Sequence, residues 1–368
     1  MTHVVLLTGI TGFVGGATAV ELLTQHADGR ILALVRADSI AKARERVRRS
    51  LVRFLNQKTF IEIEQRVEII LGDIIDPNTL ESPLVDKVTE VLHLAANTSL
   101  RSIRGVRRTN VIGTQALFNR LYHAPQLRRI MYVGTAHICG IGPGELVFED
   151  DFPRANVDHA VEYTRSKAEC ELWMQRKASR LPLVVARPST VVGHTQLGCV
   201  PSASIYWYYR LVDRLGLISS STQSLKDIVP VDYVAQALAA LLFKPNLAHA
   251  IYHVSAGQHA AVRWRDMQAA FAQCDGRELG PPYRTATVEE ILTCRESIAA
   301  IVGEENLDFA IRALEPFLRL SASGVQVFDN ARLLAEGVKS PPRFTDYLHA
   351  CISQQDRRSL FAQLCDDG

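Results

Sequence analysis

No apolar run in this chain reaches the roughly 18 to 20 residues that a bilayer-crossing helix needs, so the sequence offers no membrane-spanning segment. The opening stretch MTHVVLLTG also lacks the basic start and small-residue cleavage site of a secretory leader, and a cytoplasmic location is the expectation. An excess of one charge is missing too. With 41 Lys and Arg against 39 Asp and Glu, the formal net charge is +2, so no global field argues for nucleic acid or a membrane surface as partner. The seven cysteines (Cys139, Cys170, Cys199, Cys274, Cys294, Cys351, Cys365) are odd in number, scattered and without CxxC spacing, which argues against a disulfide framework and a zinc site. His93, His137 and His194 lack metal-ligand spacing, and no metal is expected. Internal repeats and low-complexity tracts are absent.

What the chain has is 368 residues, 47% of them hydrophobic, enough for a large core. Short β-rich runs alternate with helical patterns: VVLLTG, ILALVRA, VEIILGD, VTEVLHLAA, LRRIMYVGTA and LPLVVARPS are six strand-like segments separated by helices. Such alternation predicts an α/β fold, a doubly wound parallel sheet of the Rossmann type. Residues 1–190 read as the dinucleotide-binding core and 191–256 as mixed core and substrate-binding segments. Residues 257–368 read as a mostly helical C-terminal substrate or lid region.

The turn after the first strand, TGITGFVGG, spaces Gly9, Gly12 and Gly15 three apart. A glycine turn opening a helix lets backbone amides approach a pyrophosphate, which the helix N-terminus stabilises. Thr8, Gly9, Thr11, Gly12, Phe13, Val14 and Gly15 form this candidate cradle. Asp73 in LGDI is placed to accept from an adenine amino group, and the small Ala95 and Ala96 in HLAAN let the fourth strand pass under the cofactor. The second strand ends VRA instead of in an acid, so Arg36 fits a ribose 2′-phosphate and NADPH is the expected cofactor. Arg46 could reach that phosphate from the next helix, although Arg44, Arg46, Arg48 and Arg49 also suit a solvated helix face.

The stretch EYTRSKAE holds YxxxK, which sets Tyr163 and Lys167 one turn apart on one helix face. A tyrosine hydroxyl near a lysine ammonium becomes a usable proton donor or acceptor. Thr135, after MYVG, supplies a second donor to a substrate oxygen. These three are the candidate catalytic residues. Cys199, without an activating partner, reads as an inert thiol. The stripe IYWYYRLVDRLGL fits either an acyl tunnel or helix packing, and Asp232 reads as a loop-fixing carboxylate.

In this order, TGITGFVG, HLAAN, NVIGT, VGTAHICG, YTRSK, ARPS and DIVPVDYV resemble the extended short-chain dehydrogenase/reductases. LVRADSIAKARERV and DIVPVDYV are most similar to fatty acyl-CoA reductases and to thioester-reductase domains of carboxylic acid reductases and nonribosomal peptide synthetases, and ALEPFLRLSASGVQVFDNARLL adds weaker likeness. Gly134 stands where many relatives carry Ser, and HVSAGQHAAVRW lacks the NP common in acyl reductases. The resemblance implies NADPH-dependent reduction of an acyl thioester to an aldehyde, with an alcohol after a second round. Lys167 would also bond the nicotinamide ribose, and Pro188 and Ser189 would lie near the carboxamide. Asn110 would hold a helix in register. The acyl group would arrive activated, on coenzyme A or a separate carrier protein. A ketone or sterol-type dehydrogenase, or a sugar-nucleotide epimerase or dehydratase, would use the same triad.

Overall fold

The strand-like runs form strands because Val, Ile and Leu fill both faces of each one, as a sheet covered on both sides requires. The strands are β1 (Val4–Thr8), β2 (Arg30–Val35), β3 (Val67–Leu71), β4 (Glu90–His93), β5 (Arg129–Val133), β6 (Leu183–Pro188) and β7 (Ile251–Val254). They make one all-parallel sheet in the order β7-β6-β5-β4-β1-β2-β3. The computed structural model describes residues 3–26, 28–76, 79, 81–99, 103–142, 144–177, 181–202, 204–324, 327–355 and 359–365. Six strands are read from the sequence and seven are present. The additional one, IYHV, has its apolar run broken by His253 and pairs with β6.

The helices that matter for the site are α1 (Phe13–Gln25), α2 (Ile40–Leu51), α3 (Thr114–Leu121), α4 (Glu162–Lys177), α5 (Tyr206–Leu215), α6 (Val231–Phe243), α7 (Trp264–Asp275), α8 (Leu307–Ala322) and α9 (Phe344–Gln355). On one face of the sheet α1 packs along α6, with Ala17, Val231 and Ala235 in contact. The segment TNVIGTQALFNRLY is not a single regular helix. A π-helical turn, Arg108–Gly113, precedes α3 and holds Asn110. SKAECELWMQRKAS (166–179) has the pattern of one long helix, and its end, Ala178 and Ser179, lies outside the described residues.

A second apolar core lies beyond β6, built from α5, α7, α8 and α9 around Tyr206, Trp264, Phe271, Leu314 and Phe344. Two-residue ladders tie it to the sheet domain: Thr190–Val191 runs parallel to Ile228–Val229, and Leu225–Lys226 runs antiparallel to Val262–Arg263. Among the described residues, no helix is long and apolar enough to cross a membrane.

Candidate active site

The strand order reverses between β1 and β4, and ligands of open α/β sheets bind at that crevice, beyond the carboxyl ends of the strands. The glycine turn sits there. Gly9 takes φ +81°, and a Cβ on it would come within 2.7 Å of Ala95 N and Leu94 C. A Cβ on Gly15 would sit 2.0 Å from the Gly9 carbonyl oxygen. Both positions therefore accept only glycine. Gly12 differs, since a Cβ there meets nothing nearer than Gly9 O at 3.4 Å. Gly12 N donates to Gly9 O at 3.0 Å and Gly12 caps α1 with no side-chain bond to the first-turn amides. The Phe13, Val14 and Gly15 amides thus lack a capping side chain, the arrangement an anionic phosphate completes.

Beneath the turn, Thr8 is fully buried, and its hydroxyl accepts from Ala95 N at 3.1 Å and bonds His93 Nδ1 at 2.7 Å. His93 Nε2 bonds Thr114 Oγ1 at 2.8 Å, and burial holds its pKa down to about 3, so the ring is neutral. Thr8, Ala95 and Ala96 form the floor of the crevice. Phe13 stacks on Phe54 at 6.2 Å, and Val14 packs against the core, so these two offer backbone to a ligand.

At the far end of the crevice Arg36 follows β2 and Asp73 follows β3. They pair with each other at 3.4 Å, and the Arg36 side chain is 76% exposed. The Arg46 guanidinium donates to the Arg36 carbonyl, which directs it to this corner, whereas Arg48 and Arg49 pair with Glu45 on the solvated side of α2. The sequence treats Arg36 and Asp73 as separate contacts, and the fold joins them.

Thr135, Lys167 and Pro188 meet where β5 and β6 end. Thr135 lies two residues past β5; its hydroxyl accepts from His137 N at 3.3 Å and donates to Pro188 O at 3.5 Å. Lys167 on α4 donates to Val133 O at 2.9 Å, with Nζ 4.8 Å from the Tyr132 ring centroid. Burial lowers its pKa to about 8. Tyr163, one turn earlier on α4, is pushed by burial up to about 12. Asn110 holds α4 in place: its amide nitrogen donates to Ser166 Oγ and to Asn97 O, each at 3.0 Å, and its oxygen accepts from Asn97 N at 2.7 Å. Asp232 accepts from Thr195 N at 3.0 Å and Thr195 Oγ1 at 2.6 Å, fixing the 193–198 loop. Cys199 is buried.

The sequence reading did not single out the buried pair Arg187 and Glu171. Both side chains have no exposure. Arg187 Nε donates to both Glu171 oxygens at 3.1 Å, Nη1 to Glu149 O at 2.9 Å and Nη2 to Phe152 O at 2.6 Å. His253, held neutral by burial and by Arg187, bonds Asp329 O through Nδ1 at 3.1 Å, which leaves Nε2 as an acceptor facing Arg187 Nη1 at 3.4 Å. The pair bolts α4, which carries Tyr163 and Lys167, to β6, which ends at Pro188. In sequence Arg187 is one letter of ARPS, and its partner lies 16 residues away.

At His137, whose amide bonds the Thr135 hydroxyl, opens a cleft of about 50 Å³ that reaches solvent, lined among others by Thr190, Tyr208, Tyr209, Lys226 and Trp264. His137 Nε2 bonds Thr190 Oγ1 at 3.1 Å in its wall. Of the aromatic stripe, Tyr208 and Tyr209 face this cleft, and Trp207 packs in the second core.

A seven-stranded parallel sheet with helices on both faces and a glycine turn after its first strand is the architecture of the extended short-chain dehydrogenase/reductases. More narrowly, the chain belongs to the NAD_binding_4, or Male sterility protein, family, whose profile matches residues 7–238. It is 27% identical over 272 residues to a candidate fatty acyl-CoA reductase of Drosophila melanogaster, covering 62% of this chain and 50% of that protein. It is 30% identical over 199 residues to dTDP-D-glucose 4,6-dehydratase of Mus musculus, covering 52% of this chain and 51% of that one. The chain therefore spans about half the length of these curated relatives. Among solved structures, the terminal R domain of the myxalamid PKS-NRPS pathway superposes with a TM-score of 0.80 at 25% identity, covering 97% of this chain and 91% of that one. The profile shows an NAD-binding family, and the solved neighbour is a reductase domain.

Proposed function

We propose that this protein is an oxidoreductase that reduces an acyl thioester to an aldehyde with NADPH, using Thr135, Tyr163 and Lys167. The observation that carries the proposal is the meeting of Thr135 and Lys167 at the ends of β5 and β6, beside an aromatic-lined cleft and one helical turn from Tyr163. The glycine cradle, with its uncapped α1 amides, fits a pyrophosphate, and the Arg36 and Arg46 corner fits a 2′-phosphate. NADPH bound there supplies a hydride. The Tyr163 and Thr135 hydroxyls donate to the thioester carbonyl oxygen and stabilise the negative charge that develops on it, an effect worth roughly 3 to 4 kcal/mol per donor. Tyr163 protonates that oxygen; the hemithioacetal then expels the thiol and leaves the aldehyde. A second round with Tyr163 as acid gives the alcohol. Lys167, charged below about pH 8, moves from Val133 O to the nicotinamide ribose and keeps the site positive. The acyl group arrives on coenzyme A or a carrier protein.

The likeness to the mouse dehydratase supports a second reading, a sugar-nucleotide dehydratase or epimerase with the same triad. Arg36 weighs against it, since those enzymes retain NAD and an acidic residue suits its ribose. NADPH oxidation measured with acyl-CoAs, carrier-bound acyl thioesters, ketones and sugar nucleotides, with products identified by mass, separates the two. Aldehyde or alcohol from a thioester is the expected result, and turnover of ketones or sugar nucleotides alone rejects the thioester assignment.

Cofactor choice has its own test. Arg36→Asp places a carboxylate where the 2′-phosphate would lie and frees Asp73 from its partner. The ratio of kcat/KM with NADPH to that with NADH should fall by on the order of 10- to 100-fold, the worth of a charge-assisted contact. An unchanged ratio removes Arg36 from the phosphate site.

A further inference from the structure

Lys226 is a cation on the cleft wall that forms no ion pair among the described residues. It lies in the strand Leu225–Lys226, whose pairing with Val262–Arg263 brings the side chain to Trp264, with Nζ 5.6 Å from the ring centroid. Nζ donates to Ser321 Oγ at 3.0 Å and reaches Ser321 O at 3.4 Å, in the last turn of α8. The carbonyl end of a helix favours a cation, which explains how the amine is held but leaves its charge without a counterion. Asp227, the next residue, is turned away: its oxygens accept from Ala256 N at 2.7 Å and Phe328 N at 3.1 Å. Burial lowers the Lys226 pKa to about 8, and no nearby carboxylate offsets that effect.

An ammonium has three donors, and the two Ser321 oxygens take at most two of them. The remaining N–H borders a cleft lined by the apolar Trp264, Phe317 and Leu320 and by the polar His137, Thr190 and Asp227. Tyr208 lines the same space; its buried hydroxyl has Ser219 and Ser321 nearby but no hydrogen bond of proper geometry. His137, whose amide bonds the Thr135 hydroxyl, also lines the cleft. An acyl chain held at Thr135 and extended along this cleft runs toward the Lys226 ammonium. A plain alkyl end there would desolvate the charge without compensating it, which is unfavourable.

We propose that Lys226, seated by Ser321, is a specificity-determining residue that selects acyl chains carrying a distal carboxylate. This rests on the thioester-reductase assignment and deepens it: the substrate class becomes the monothioesters of dicarboxylic acids. Such a chain places its apolar middle against Trp264 and Phe317 and its carboxylate on the free N–H of Lys226.

The test uses N-acetylcysteamine thioesters of increasing chain length in two series, one ending in a carboxylate and one in a methyl group. At its best length the wild-type protein should reduce the acid-ended member with the higher kcat/KM. Lys226→Met should lower the ratio of acid-ended to methyl-ended kcat/KM by roughly 10- to 100-fold, as expected for a hydrogen bond to a charged group. Ser321→Ala, which keeps the charge but loosens its seat, should move the ratio the same way by less. Equal losses on both series would assign Lys226 to closing the end of α8 and overturn the proposal. A wild-type preference for methyl-ended chains would overturn it as well, as would a Lys226→Met penalty confined to coenzyme A esters, which would mean the amine meets a phosphate. Calorimetry with unreactive amide analogues of both series reads the subsite without turnover. Should no thioester be reduced, the function fails, while weaker binding of the acid-ended amide to Lys226→Met still supports the subsite and equal binding rejects it.

Discussion

Tyr163→Phe should lower kcat for thioester reduction by roughly 10²- to 10⁴-fold, the usual contribution of a placed general acid, while NADPH affinity stays nearly unchanged. The substitution removes one oxygen from a buried ring and leaves Lys167 and the glycine cradle untouched. Parallel loss of turnover and of cofactor affinity would make the tyrosine structural. The pH profile follows from the same groups. Burial keeps Tyr163 protonated, with a pKa near 12, so it holds its proton for donation through the neutral range. Lys167 is charged below about pH 8 and loses that charge above it. Since kcat/KM reports the groups of the free enzyme, it should be level below about pH 8 and fall above. A rise across the same interval would contradict the role given to Lys167.

Glu171→Ala should destabilise the fold by about 3 to 5 kcal/mol, because it leaves the Arg187 guanidinium buried without its countercharge. Urea unfolding measures this as a lower midpoint. The double variant Glu171→Leu with Arg187→Met, which removes both charges and fills the space, should recover most of the loss, since an apolar replacement of a buried ion pair is often neutral or better. A single-variant loss below about 1 kcal/mol, or a double variant no better than the single, would show that the pair is not what bolts α4 to β6.

The sequence makes the chemistry-bearing turn legible because glycine spacing and YxxxK are local patterns: Gly9 and Gly15 are required by backbone contacts within one turn and the strand beside it. The parallel sheet is legible for the same reason, six of its strands lying in apolar runs that announce themselves by composition. Where contacts are distant in sequence, the pattern is silent. Ile251–Val254, with His253 in its middle, does not read as a strand without β6 beside it. The π-helical turn at Arg108–Gly113 interrupts what periodicity reads as continuous helix, and it turns Asn110 toward Asn97 and Ser166. The pairing of Arg36 with Asp73 spans 37 residues, and that of Lys226 with Ser321 spans 95. No spacing rule reaches so far, and only the folded chain brings those charges to their places.

The most direct measurement of hydride delivery is to supply NADPH deuterated at the transferable position of the nicotinamide, together with an acyl thioester, and to locate the label by mass spectrometry. A single deuterium on the carbonyl carbon of the aldehyde, with a second there after reduction to alcohol, is the predicted result. Product without label at that carbon, or labelled cofactor left unchanged in the presence of every thioester, would contradict the account.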